Sequence, residues 1–276
     1  MVRFLKMHGL GNDFAVFDAR NQGLALDAGL ARAVADRRRG IGCDQVIVIE
    51  RSDGADAAMR IWNADGGEVE SCGNAARCVA RLLMEELDRD GVTLETAGGP
   101  LSCTVAGGGL VTVDMGTPAT AWDRVPLARA VDTDRFVLEV DGTSYPAAAV
   151  SMGNPHCVLF VDDAETAPVA TLGPRIETHP LFPNRTNVAF VAVRDRGHLR
   201  MRVWERGTGI TQACGTGACA AAVAARRRGL ADAKVEVQLD GGMLAVEWRE
   251  GDGRVLMTGP AALSFKGEID LSVLAA

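Results

Sequence analysis

MRIWNADGGEVESCGNAA, residues 59–76, returns as MRVWERGTGITQACGTGA at residues 201–218. Seven of the eighteen aligned positions are identical, where unrelated segments share about one. The offset, 142 residues, is kept by two further segments: Gly11-Asn12 falls on Gly153-Asn154, and the apolar run 45–49 falls on 187–191. Past the second motif the register slips by one, so that Gly98-Gly99 meets Gly241-Gly242 and Gly116 meets Gly259. A one-residue difference in a loop accounts for the slip. The chain therefore reads as two copies of one domain. Residues 1–118 with 262–276 form the half carrying Cys72, the last segment returning as a short strand, and residues 119–261 form the half carrying Cys214.

Each copy is built mainly of short apolar runs with turn residues between them, which predicts strands at 15–18, 46–50, 58–62, 101–106 and 110–114 in the first half. In the second half they fall at 157–161, 188–193, 200–204, 234–239, 243–248 and 255–258. Turns at Gly107-Gly108-Gly109 and Glu250-Gly251-Asp252-Gly253 favour antiparallel hairpins. Helical periodicity appears at 27–38, at 74–88 and at 218–225. In the second of these Ala75, Val79, Leu82, Leu83 and Leu87 form one stripe, with Arg77, Arg81 and Glu85 opposite. Residues 218–225 are nearly all alanine, the pattern of a helix buried on every side. The fold class expected is mixed α/β, with two pseudo-symmetric domains.

With 47% hydrophobic and 24% charged residues among 276, the chain has the composition of an ordered globular protein. A net charge of −7 argues against wholesale binding to nucleic acid or to an anionic membrane. The Arg-Arg-Arg-Gly runs at 37–40 and 226–229 read as helix C-termini closed by glycine. No stretch reaches the length of a membrane span, and the N-terminus lacks a signal core, so a cytoplasmic protein is expected. Seven cysteines without a CxxC and four scattered histidines give no metal-ligand spacing, and no phosphate-binding glycine motif is present.

Cys72 and Cys214 each precede a helix and are each followed by glycine and a polar residue, Asn74 or Thr216. A lone cysteine in that place is more often packing than chemistry; the repeat makes these two a pair. The positive end of the helix dipole favours a thiolate, which predicts a lowered thiol pKa. If both helix starts open on one interdomain cleft, the thiols flank whatever lies between. Two thiols on opposite faces of one carbon suit stereoinversion, one as thiolate taking the α-proton and the other as thiol returning one. The N–H groups of Gly73, Asn74, Gly215 and Thr216 would hold a carboxylate. Only Lys6, Lys234 and Lys266 exist to carry pyridoxal phosphate and none adjoins a phosphate loop, so a cofactor-independent enzyme is expected.

The copies differ where Asn63 and Ala64 become Glu205 and Arg206. That charged pair suits an ammonium and a carboxylate, and it equally suits a structural salt bridge. His156 stands between a structural imidazole and a group that tunes a thiol.

Taken together, HGLGNDF, GCDQ, NADGGEVESCGNAARC, SMGNPHC and ERGTGITQACGTGA resemble the diaminopimelate epimerases over nearly the whole chain. The resemblance implies interconversion of LL- and meso-diaminopimelate without cofactor, in the lysine and peptidoglycan pathway. It implies a strongly curved mixed sheet around a central helix in each half, and the catalytic pair Cys72 and Cys214. It implies substrate contacts at Asn12, Gln45, Asn63, Gly73, Asn74, Asn154, Asn187, Glu205, Arg206, Gly215 and Thr216, with His156 and Glu205 modulating the thiols. Members often form homodimers, so that association is implied as well. Ala75 stands where the family often has glycine, and Cys43 where an aromatic is frequent. A proline racemase-like enzyme shares the paired-thiol logic, but its second motif reads Ser-Pro-Cys-Gly-Thr-Gly where this chain has Gln212-Ala213-Cys214-Gly215-Thr216-Gly217. A redox sensor using the two cysteines as a reversible disulfide is the rival from outside catalysis.

Overall fold

The structure, a computed structural model, describes residues 1–21 and 23–274. It divides into two compact units, Met1–Val113 with Gly259–Ala276, and Asp114–Thr258. The expected joint after residue 118 thus falls at 113/114. The cause is local: Met115 N–H donates to Val255 O and Val255 N–H to Gly116 O, both at 2.8 Å, while Asp114 pairs with Arg254 at 2.6 Å.

The first unit runs β1 (Val2–Gly9), β2 (Asn12–Asp18), α1 (Ala28–Ala35), β3 (Gln45–Glu50), β4 (Ala57–Asn63), β5 (Glu68–Val69), α2 (Gly73–Leu87), β6 (Gly91–Thr96), β7 (Gly99–Ala106) and β8 (Leu110–Asp114). The second runs β9 (Phe136–Val140), β10 (Thr143–Ser151), β11 (Pro155–Phe160), α3 (Val169–Glu177), β12 (Asn187–Asp195), β13 (His198–Glu205), β14 (Gly209–Ile210), α4 (Gly215–Arg227), β15 (Lys234–Leu239), β16 (Gly242–Trp248) and β17 (Val255–Gly259). The chain then re-enters the first unit as β18 (Ala262–Ile269) and α5 (Leu271–Leu274).

Strand order repeats between the units. In the first it is β18, β1, β2, β3, β4, β6, β7, β8, all antiparallel except β2–β3 and β4–β6. In the second it is β9, β10, β11, β12, β13, β15, β16, β17, parallel at the corresponding β11–β12 and β13–β15. The C-terminal strand β18 therefore takes in the first unit the place that β9 takes in the second.

Each sheet wraps one helix. α2 packs on β1, β6 and β7, and α4 on β10, β11, β12, β13, β15 and β16. Strands from both flanks of a sheet reach one helix only if the sheet is strongly curved. All residues of α4 from Gly215 to Ala225 are buried, as the alanine run predicts; side chains no larger than valine let the strands close around it. The opposite face is covered by α1 in one unit and α3 in the other. With a helix on both faces, the middle strands become continuous apolar runs, Val46–Ile49 in β3 and Val188–Ala192 in β12.

Several elements differ from the sequence expectations. α1 ends at Ala35 with Asp36 as its cap, so Arg37–Arg39 form a turn after the helix instead of its last turn. The second arginine run behaves as read: Gly229 adopts φ +71, its N–H donates to Arg226 O, and Leu230 N–H donates to Ala225 O, which closes α4 in a Schellman motif. In α2, Leu87 is 41% exposed and Arg77, expected on the solvent face, is fully buried. Its guanidinium finds polar partners inside the unit: Pro260 O and the Asn74 side chain. Periodicity does not single out strands β1, β5, β6, β9, β10 and β14 or helix α3. α3 carries Gly173 and Pro174 and has no side-chain cap, which blanks the usual helix signals. Among the described residues no helix is long and apolar enough to cross a membrane.

Candidate active site

In the first unit Cys72 is the N-cap of α2, with extended backbone (φ −144, ψ 110) and no side-chain capping bond. Gly73, Asn74 and Ala75 follow, all buried. Ala76 N–H closes the first turn on Cys72 O, so the amides before it belong to the helix start, where no i−4 carbonyl exists within the helix. Asn12 opens β2, just after a two-residue hairpin in which Leu10 and Gly11 have φ +56 and +83. Both values are left-handed, as a type I′ hairpin turn requires. That tight turn sets Asn12 beside the helix start: Cys72 Sγ donates to Asn12 Oδ1 at 4.0 Å, and Asn74 Nδ2 donates to the same oxygen at 3.1 Å.

Gln45 and Asn63 face each other across β3 and β4, with Gln45 Nε2 donating to Asn63 Oδ1 at 2.9 Å. Gln45 Oε1 is buried without a partner among the described residues. Behind Asn12 lies an ionic cluster that the sequence reading missed. Asp13 accepts from Lys6 Nζ at 2.6 Å and from Arg37 Nη2 at 2.7 Å, and Arg37 also reaches Asp44 at 2.8 Å. Burial works to raise the Asp13 carboxyl pKa, but the bonds from Arg37 and Lys6 outweigh it and bring it down to about 2.

The second unit repeats the frame with other groups. Cys214 is the N-cap of α4 (φ −117, ψ 106) and is 4% exposed. Its sulfur lies 3.6 Å from Thr216 Oγ1. A Cβ on Gly217 would stand 3.1 Å from that sulfur, so glycine keeps the space open. Contrary to the lowered value expected at a helix start, the Cys214 thiol is pushed well above its ordinary range. Burial is the main cause and the Glu205 carboxylate the next; the bonds from Thr216 and from the Gly217 N–H do not offset them. The Glu205 side chain also accepts from Thr211 Oγ1.

Asn154 follows Gly153 in the β10–β11 turn; its Nδ2 donates to Thr216 Oγ1 at 3.4 Å and its Oδ1 lies 3.0 Å from His156 Nε2. His156 is fully buried in β11, and burial, helped by the Arg206 charge, pushes its pKa down to about 3. It is therefore neutral, with the ring proton on Nε2, and Nδ1 has no partner among the described residues. Asn187 starts β12; its Nδ2 donates to Pro155 O at 3.0 Å and its Oδ1 accepts from Arg206 N–H at 2.9 Å. The Arg206 side chain reaches Asn184 O at 3.2 Å.

The turn carrying Arg206 is braced by Glu177, missed in the sequence. Its carboxylate accepts from Trp204 Nε1 at 2.6 Å and from Gly207 N–H at 2.9 Å. The repeat offset could have flagged α3, which carries Glu177, because α1 plus 142 residues falls on it. Cys78 is fully buried and burial raises its thiol to about 12, which leaves it as packing.

Both units thus set a cysteine at the N-terminus of their buried helix, with amide and hydroxyl groups around the sulfur. The diaminopimelate epimerase family model matches residues 4–121 and 148–264. The chain is 54% identical to the diaminopimelate epimerase of Rhodospirillum centenum, over 99% of this chain and 94% of that protein. To the one from Acidiphilium cryptum it is 52% identical, over 99% and 98%. Among solved structures, a probable proline racemase from Agrobacterium radiobacter K84 superposes with a TM-score of 0.71 at 18% identity, covering 98% of this chain and 93% of that one, a likeness of fold. At about half of all positions shared with those two relatives over nearly full length, and with the duplicated cysteine motif in place, this chain belongs to the diaminopimelate epimerase family.

Proposed function

We propose that this protein is an isomerase that interconverts LL-2,6-diaminopimelate and meso-2,6-diaminopimelate by inverting one α-carbon, a step in making lysine and peptidoglycan precursors. The observation that carries the reading is the duplicated cysteine at the start of a buried helix, in a chain of this family. Cys72 and Cys214 are the two bases. One, as thiolate, takes the α-proton; the other, as thiol, delivers a proton to the opposite face, and the reverse reaction exchanges the roles. Burial and Glu205 keep the Cys214 thiol protonated, which suits it to donate in the direction where Cys72 abstracts.

An α-proton is weakly acidic, so the carbanion needs its carboxylate held by donors already in place. The first-turn amides of Gly73, Asn74, Gly215 and Thr216 suit that role, because helix starts bind anions. Asn12, Gln45, Asn63, Asn154 and Asn187 are proposed to bind the rest of the substrate, Glu205 its distant ammonium and Arg206 its distant carboxylate. Glu205 is also proposed to tune Cys214. His156 acts one step back: it orients Asn154 and adds no positive charge of its own. The chemistry is proposed to need no cofactor. The protein is proposed to work in the cytoplasm, where thiols stay reduced, and as a homodimer. Leu263 and Phe265, exposed apolar side chains of β18, support association; light scattering in solution checks it.

The deciding experiment is turnover of LL-diaminopimelate in D₂O without added pyridoxal phosphate. One solvent deuteron at the inverted centre is expected. Inversion with retention of the substrate hydrogen would rule out two separate thiol bases. Cys72→Ala and Cys214→Ala should each abolish turnover while Cys78→Ala keeps most of it; equal losses in all three would reduce the cysteines to packing.

A further inference from the structure

One polar chain in the first unit is not accounted for by substrate binding. Arg77 Nη2 donates to Asn74 Oδ1 at 3.0 Å, Asn74 Nδ2 donates to Asn12 Oδ1 at 3.1 Å, and Asn12 Nδ2 donates to Asp44 Oδ2 at 3.0 Å. The chain starts at a buried cation and ends at a carboxylate. That polarity leaves each amide one orientation. Turning Asn74 over would set its NH₂ against the guanidinium, and turning Asn12 over would set its oxygen against the Asp44 carboxylate and its NH₂ against that of Asn74.

Both ends are themselves fixed. Arg77 is fully buried, and its Nε donates to Pro260 O at 3.1 Å. A Cβ on Gly9 would approach its Nη2 to 2.8 Å, so β1 leaves room for it by having no side chain there. Asp44 Oδ1 is held by Arg37 at 2.8 Å, and its Oδ2 also accepts from Asp13 N–H at 3.2 Å. The second unit does not repeat these residues. At offset 142, Arg77 becomes Cys219, Asp44 becomes Thr186 and Asn74 becomes Thr216, and Asn154 is oriented by His156 and Thr216 instead.

We propose that Arg77 and Asp44 are positioning residues that lock the amides of Asn74 and Asn12, so that Asn12 holds its oxygen, a proton acceptor, toward the Cys72 thiol. The proposal rests on the reading of Cys72 as an acid/base group. An oxygen 4.0 Å from the sulfur accepts from the S–H and repels the thiolate. Cys72 is thereby kept as a thiol until it is needed, and its thiolate, once formed, is a stronger base. An amide free to turn would offer N–H to the thiolate and weaken it as a base.

The test follows alkylation of Cys72 by iodoacetamide against pH, read by peptide mass, in the full chain and in Arg77→Met, Arg77→Lys and Asp44→Asn. Arg77→Met and Asp44→Asn should move the Cys72 profile to lower pH by about one unit and leave the Cys214 profile in place. Arg77→Lys, which keeps a cationic donor toward Asn74, should restore most of the parent profile. In turnover, Arg77→Met and Asp44→Asn should lower kcat more than they raise KM, since the Cys72 proton step is touched as well as the Asn12 contact to substrate. A Cys72 profile unmoved in both variants would overturn the proposal. So would variants in which Cys72 and Cys214 become reactive together, the signature of a loosened fold. The alkylation profile needs no turnover: if it shifts in a chain that leaves diaminopimelate unchanged, the positioning role stands and the assigned reaction falls.

Discussion

His156→Phe puts a number on a buried neutral imidazole. At offset 142 the first unit has Phe14 in this place, so the fold already holds an aromatic ring of similar outline there. The folded histidine does not take a proton until about pH 3, whereas an unfolded one does so near 6.5. Between those values the unfolded chain binds the extra proton, so stability falls as pH drops through 6.5 toward 3. At pH 5 the loss from this one group is about 2 kcal/mol, from 1.36 kcal/mol per pH unit over roughly one and a half units. It would reach about 4 kcal/mol by pH 3, where the folded histidine itself begins to take the proton.

The measurement is urea unfolding at pH 8 and pH 5 for the parent and for His156→Phe. The substitution removes the bond to Asn154 at both pH values, so that cost cancels in the difference. The parent should lose about 2 kcal/mol more than the variant between the two conditions, about 1 M in urea midpoint for a slope near 2 kcal/mol/M. Equal losses would mean that His156 is protonated in the folded chain at pH 5, and the account of its burial would be wrong.

Glu205→Gln removes the carboxylate that helps hold Cys214 as a thiol, so alkylation of Cys214 near neutral pH should speed up several-fold while Cys72 is unaffected. An unchanged Cys214 rate would leave burial as the sole cause. Gly173→Ala should destabilise by about 1–3 kcal/mol through overpacking, because the added carbon would lie 2.6 Å from Trp204 Cβ; calorimetry showing an unshifted Tm would refute the contact. Trp204 also donates to Glu177, which holds the Arg206 turn. The same variant should therefore raise KM for diaminopimelate more than it lowers kcat.

Much of this architecture was legible because the sequence writes it twice. The repeat needs no structure to be seen, and alignment at 142 residues pairs Cys72 with Cys214, Asn12 with Asn154, and Asn63 with Glu205 by position alone. The all-apolar residues 218–225 announced a helix enclosed by its own sheet, since small side chains on every face leave no side for water. Elements without a periodic signal were silent. β1 and β10 lie between other strands of the sheet, and α3 contains a glycine and a proline where a helix usually carries its strongest formers.

Charge and orientation were settled only by tertiary structure. Arg77 falls on the polar face of α2 by spacing, yet Pro260, distant in the chain, supplies the carbonyl that lets a guanidinium be buried there. The helix start alone predicts a readily ionised Cys214, but the packing that buries the sulfur and the neighbouring Glu205 carboxylate outweigh the dipole. Local sequence sets which group stands at a helix end. The dielectric around that group, and the charges facing it, come from residues far along the chain, and these decide which way its proton leans.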